Sequence, residues 1–180
     1  PAPTPAGPDA STSGWFPQDR KHLALAHPDG RRLRVVLAGS DFKFAGDLIR
    51  ALSEHPDVDL RVDVFGHHST AQPDVSRDYA AWADVVIAEF AQQNAVWYSQ
   101  NLRAHQRLLV HLHGFELLGD VVDALDHAQC TAIVVPSAFY RDQAAETKGW
   151  AHELIRVVPN SVDEEDPVSY THLTLPTSDL

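Results

Sequence analysis

Methionine is absent from all 180 residues, position 1 included, and cysteine occurs once, as Cys130. A single cysteine cannot build an internal disulfide framework, and without a cysteine cluster there is no thiolate zinc site, so a reducing compartment, the cytoplasm, is the expected location. Cations are scarce as well: 14 Lys and Arg stand against 25 Asp and Glu, a formal charge of −11. That balance is the reverse of what neutralising phosphate backbones requires and argues against general nucleic-acid binding. No apolar run approaches the roughly 18 residues of a membrane span, so no transmembrane segment is expected, and the N-terminal stretch lacks the charged-then-apolar order of a signal peptide. Hydrophobic residues, by contrast, make up 44% of the chain, enough for a sizeable core in one domain of ordinary size. A chain that starts at its natural beginning carries Met there, so this sequence is expected to begin downstream of its true start.

Six of the twelve prolines precede residue 31. Residues 1–30 are rich in Pro, Ala, Ser, Thr and Gly without a sustained period, which is linker composition. The alternative is an arm in which Trp15, Phe16, Leu23 and Leu25 pack on the neighbouring domain. From Arg31 the chain changes to apolar runs separated by helical patterns, the alternation of a parallel sheet with crossover helices. The runs at Leu33–Gly39, Asp84–Glu89, Arg107–His113, Thr131–Pro136 and Leu154–Pro159 read as strands. Val58, Leu60, Val62 and Val64 alternate with Asp59, Arg61, Asp63 and Phe65 and predict a strand near a sheet edge. Ala45, Leu48, Ile49 and Leu52 share one helical face ahead of Pro56, and helices are expected over Pro73–Ala83, Asn94–Ala104, Val121–Ala128 and Ser137–Lys148. The fold class is therefore α/β: a Rossmann-like parallel sheet of about six strands with helices on both faces.

Residues 167–180, PVSYTHLTLPTSDL, continue neither pattern. VSYTHLTLPT resembles one reading frame of the transposase adapter used in short-read library preparation, so this segment is expected to be a sequencing scar that interrupts the natural chain near Asp166; the alternative is a genuine tail. The folded domain is then 31–166, and the acidic excess belongs to it.

In open α/β sheets ligands sit outside the carboxyl ends of the strands, which directs attention to the loop after each one. After the first strand, the loop Gly39-Ser40-Asp41-Phe42-Lys43-Phe44-Ala45-Gly46 has glycines where the chain turns and where a helix starts, which would let a phosphate or sugar approach backbone amides. It has neither the dinucleotide fingerprint nor a P-loop spacing. Glu89 ends the third strand beside the amide-rich Gln92, Gln93 and Asn94, groups suited to sugar hydroxyls, with helix capping as the other reading of Asn94. His111 and His113 share a face at the end of the fourth strand, and Gly114 clears space beside them. No third ligand is spaced along the chain to complete a metal site, so no metal is expected. His111 reads equally as a packing residue, and His113 is the better functional candidate. His67 and His68 are expected on a solvent-exposed loop, and Ser137 reads as an N-cap. No Ser, His and Asp are ordered as a hydrolase triad, and Cys130 has no adjacent base.

Taken in order, RVVLAGSDFKFAGDLIRALSEHPDVDLRVDVF, WADVVIAEF, NAVWYS, VHLHGFEL, VVPSAFYRD and VVPNSVD resemble the N-terminal half of retaining glycosyltransferases of family 4, over Arg32 to about Asp163. VVPNSVD is similar to the family's Val-Ile-Pro-Asn-Gly-Val-Asp segment, with Ser161 in place of Gly, and Ala45-Gly46 stands where many members have two glycines. The resemblance implies one half of a GT-B architecture, with His113 beside the transferred sugar as the catalytic candidate. Gly39, Ser40, Phe44, Gly46, Glu89, Asn94 and Gly114 are the candidate substrate-binding residues, and Asn160 and Asp163 lie at the hinge to a second domain. It further implies a nucleotide-diphosphate sugar as donor, a small-molecule or glycan acceptor, and no bound cofactor or metal. The donor-binding groups would belong to a C-terminal domain that lies beyond this sequence, so the fragment is expected to be inactive alone. Two alternatives remain: a non-catalytic sugar- or nucleotide-binding α/β module, and half of a GT-B epimerase or phosphorylase.

Overall fold

The computed structural model of the protein describes residue 25 and residues 27–66 and 73–160. Most of the expected linker, His67, His68, Asp163, expected at a hinge, and the adapter-like tail lie outside the described residues.

The chain runs β1 (Leu33–Gly39), α1 (Gly46–Glu54), β2 (Val58–Val64), α2 (Pro73–Trp82), β3 (Val85–Glu89), α3 (Gln93–Asn101), β4 (Arg107–His111), β5 (Cys130–Val135), α4 (Ala138–Lys148) and β6 (Ile155–Val157). All six strands lie parallel in one sheet of order β2-β1-β3-β4-β5-β6. β2 occupies an edge, as its alternating pattern predicts. The fold is thus α/β and Rossmann-like. Because crossovers are right-handed, the step from β1 out to β2 places α1 on one face, and the return to β3 and onward places α2, α3 and α4 on the other. Val36, Ala38, Val86, Ala88, Leu108, Val110, Ile133 and Val135 form the core beneath the second face. Full burial of side chains of this size contributes about 2 kcal/mol each for the larger ones. On the α1 face Val35 and Leu37 are buried, while Ile87, Leu109 and Val134 stay half-buried.

Two elements differ from expectation. The helix expected over Val121–Ala128 is a 3-10 turn at Val121–Ala124, preceded by another at Phe115–Leu118. Paired β-branched residues at its start and a length of one turn favour that tighter form. β4 ends at His111 rather than His113, because after Leu112 the amides of His113 and Gly114 leave the sheet and donate to the Glu116 carboxylate at 3.1 and 2.8 Å.

The edge strand also inverts at its end. Its alternation suggests Val64 inside, yet Val64 is exposed and Asp63 is buried. Asp63 Oδ2 accepts hydrogen bonds from Ser76 Oγ and Tyr98 Oη, both at 2.7 Å. Burial, reinforced by this carboxylate, pushes the Tyr98 phenol well above its ordinary value.

At the amino end of the sheet, Asp84 immediately precedes β3 and receives both terminal nitrogens of Arg31 at 2.6 Å and the Arg34 amide at 2.9 Å. The Arg31 hydrogen bond holds the Asp84 carboxyl below the usual aspartate range. Gln106, which is buried, donates from Nε2 to the Ala80 and Ala83 carbonyls, satisfying orphan acceptors at the end of α2.

Candidate functional site

The strand order reverses between β1 and β3, since β2 lies to one side of β1 and every later strand to the other. A crevice outside the carboxyl ends at such a switch point is where open α/β sheets bind ligands. Gly39 ends β1 there and Glu89 ends β3 beside it. The two backbones run so close that a Cβ on Gly39 would lie 3.0 Å from the Glu89 carbonyl and 3.1 Å from the Phe42 ring.

Register brings the site together. Glu89 pairs with His111 across β3 and β4, and His113, two residues on, returns to the same face. The Glu89 carboxylate is fully buried, with Oε2 2.8 Å from His111 Nδ1 and Oε1 2.9 Å from His113 Nε2. Burial alone pushes this carboxyl up, but hydrogen bonds from His111 and His113 outweigh it and hold the group below the ordinary glutamate range. An ionised carboxylate only accepts, so His111 presents its Nδ1–H and His113 its Nε2–H to Glu89. The opposite nitrogens, His111 Nε2 and His113 Nδ1, are the ones turned away from the carboxylate.

A second carboxylate supports the loop that carries His113. Glu116 is buried and accepts from the amides of Ala91 at 3.2 Å, His113 at 3.1 Å and Gly114 at 2.8 Å. Gly114 is required here: its φ of +110° suits glycine, and a Cβ would fall 2.1 Å from the Tyr140 ring. Glu116 is not among the residues that the sequence pattern singles out. Its one signal is its spacing, two residues beyond a glycine that turns the chain out of a strand.

Aromatic rings wall the histidine. Phe44 and Phe90 stand with ring centroids 4.8 and 4.3 Å from that of His113, and Phe115 packs on Phe90 at 5.7 Å. Phe90 adopts φ +61°, the one non-glycine residue with positive φ among the described residues, at a cost of about 1 kcal/mol. Lys43 Nζ lies 5.2 and 5.6 Å from the Phe44 and Phe90 centroids. Phe44 and Phe115 remain half-exposed, which leaves apolar surface at the mouth of the site.

The predicted residues divide accordingly. Gly39, Phe44, Glu89, His113 and Gly114 meet at the switch point. Ser40 is half-buried in the adjoining loop, and Gly46 begins α1 with no atom within 4 Å of where a Cβ would stand, which keeps that helix start open. His111, which reads equally as packing in the sequence, belongs to the cluster. Asn94 is a correction to its capping reading. It does not cap α3, whose N-cap is Gln92, and its amide nitrogen is committed to the backbone: it is buried and donates from Nδ2 to the Ala38 and Glu89 carbonyls at 2.8 and 3.0 Å. These bonds tie the ends of β1 and β3 together. Asn160 is exposed beyond β6. Ser137 is the N-cap of α4 by position but makes no side-chain capping bond.

A third side chain of ligand type, which the spacing of His111 and His113 in the sequence does not offer, comes from across the sheet, at the end of β3. One ligand atom each from Glu89, His111 and His113 lies within 4.8 Å of the others. Cys130, in contrast, is buried at the start of β5, and burial pushes its thiol up to about 11, which suits packing rather than nucleophilic work. No helix among the described residues is long and apolar enough to cross a membrane. Compared with protein-family models, curated proteins and solved structures, the chain gives no match in any of the three.

Proposed function

We propose that this chain is the acceptor-side domain of a retaining GT-B glycosyltransferase, which moves a sugar from a nucleotide-diphosphate sugar to a small-molecule or glycan acceptor in the cytoplasm. The observation that carries the reading is the meeting of His113, Glu89 and Phe44 at the β1/β3 switch point. There an aromatic face and a histidine fixed by a buried carboxylate adjoin an open helix start. Sugars need this combination: apolar faces for their C–H surfaces, and a few fixed donors and acceptors for their hydroxyls. Glu89 fixes the orientation of His113, and His113 meets the hydroxyls of the transferred sugar. The donor diphosphate is held by a second domain of the same protein that is not in this sequence, and charge developing on it in the transition state is stabilised there.

Saturation-transfer NMR of this chain against a panel of mono- and oligosaccharides tests the assignment. Binding that is lost in Phe44→Ala and His113→Ala, with no turnover of UDP- or GDP-sugars, is the expected result. Sugar transfer by this chain alone would overturn the division of labour between domains, and the absence of binding to any saccharide would overturn the acceptor role.

A further inference from the structure

We propose that Glu89, His111 and His113 form a binding site for a divalent transition-metal ion of the zinc and cobalt class. Two imidazoles and a carboxylate are a ligand set that such ions take in three-ligand sites with open positions, and imidazole selects them over Mg²⁺ and Ca²⁺. The three ligand atoms already lie within 4.8 Å of one another. Bonds of about 2.0–2.1 Å in a tetrahedral site set ligand atoms roughly 3.3 Å apart, so an entering ion replaces the two Glu89 hydrogen bonds of 2.8 and 2.9 Å, the carboxylate and rings part slightly, and each imidazole carries its proton on the opposite ring nitrogen.

Charge supports the site independently. Glu89 and Glu116 are two carboxylates buried within one small region, linked through His113, which contacts Glu89 by its ring and Glu116 by its amide. Among the described residues neither has a Lys or Arg partner: Glu89 meets the two histidines, and Glu116 meets backbone amides. Elsewhere in the molecule the partly buried Asp84 has Arg31. A divalent ion offsets the Glu89 charge directly, adding to the hydrogen bonds that already hold it in surroundings where buried charge is costly. The ion can enter past His111, whose side chain keeps 18% of its surface exposed.

The site does not depend on the sugar-transfer reading, and its test uses no saccharide. The purified chain, stripped with chelator, is titrated with Zn²⁺ alone and, in parallel, with Co²⁺ while visible absorption is followed. The expected result is one equivalent bound, a tetrahedral-type Co²⁺ band, and a melting temperature that rises with Zn²⁺ and not with Mg²⁺. His111→Ala should weaken binding at least tenfold. His113→Gln, a volume-sparing change, should do the same should the first variant fold poorly, with circular dichroism reporting the fold of each. Zn²⁺ binding equal in the wild type and a folded variant would place the ion on other histidines and overturn the proposal. So would a wild-type chain that gives no Co²⁺ band and no Zn²⁺-dependent rise in melting temperature.

Discussion

The two ends of β3 each carry a carboxylate, and the two are held in different ways. Asp84, at the amino end, is clamped by the Arg31 guanidinium and the Arg34 amide. Glu89, at the carboxyl end, is fully buried and held by two imidazoles. A guanidinium keeps its charge at any ordinary pH and has no second role to offer, whereas an imidazole retains another nitrogen for a further partner. The same strand thus ends in a permanent fastening on one side and in adjustable chemistry on the other. Strain is divided in the same way: the positive φ of Phe90 lies beside Glu89.

Glu89→Ala tests this contrast most severely. It leaves two ring N–H groups without their acceptor in a closed environment and should cost about 3 kcal/mol, read as a shift in the urea midpoint. Asp84→Asn should cost less, because Arg31 reaches solvent; a loss larger than that of Glu89→Ala would reverse the comparison. Acid acts on both ends in the same direction, since both carboxyls are held low, and a variant isolates the share of Asp84. The Asp84 carboxyl titrates below its ordinary value of 3.8 in the folded protein. Its contribution is therefore complete above that value and is lost as pH falls through the lower folded one. Melting temperature should fall between about pH 5 and pH 2, with a shallower fall in Asp84→Asn, and an unchanged slope would remove Asp84 from the acid response. The mildest change is at the carboxyl rim, where Leu118 is 84% exposed. Leu118→Ser should alter stability by no more than about 0.5 kcal/mol.

Much of the fold is legible in the sequence because β-branched runs and helical spacing are local properties. Leu33–Gly39 and Val58–Val64 are bounded in the structure where their patterns begin and end. The site is legible only in part. Glu89 announces itself at the end of a strand and His113 just beyond one, but that they touch is a matter of register between β3 and β4, which no local pattern encodes. Asn94 misleads because an amide beside a helix start has several local uses, while its actual partners, the Ala38 and Glu89 carbonyls, come from two different strands. Asp63 misleads for a similar reason. Its place in the alternation is polar, and the hydroxyls of Ser76 and Tyr98 that make burial acceptable arrive from other elements.

The order of the strands has a consequence for how the molecule comes into being. Leu33 pairs with Val58, Leu108 with Cys130 and Ile133 with Ile155, but Val35 must find Val85 after β2 has already been made. The β1–β3 seam closes the longest loop in the sheet and is the slowest to gain from its own contacts. Gly39 and Glu89 lie on the two sides of that seam. A chain still emerging from the ribosome with only β1, α1 and β2 in place has no site, because Gly39 meets Glu89 only once the β1–β3 seam has closed.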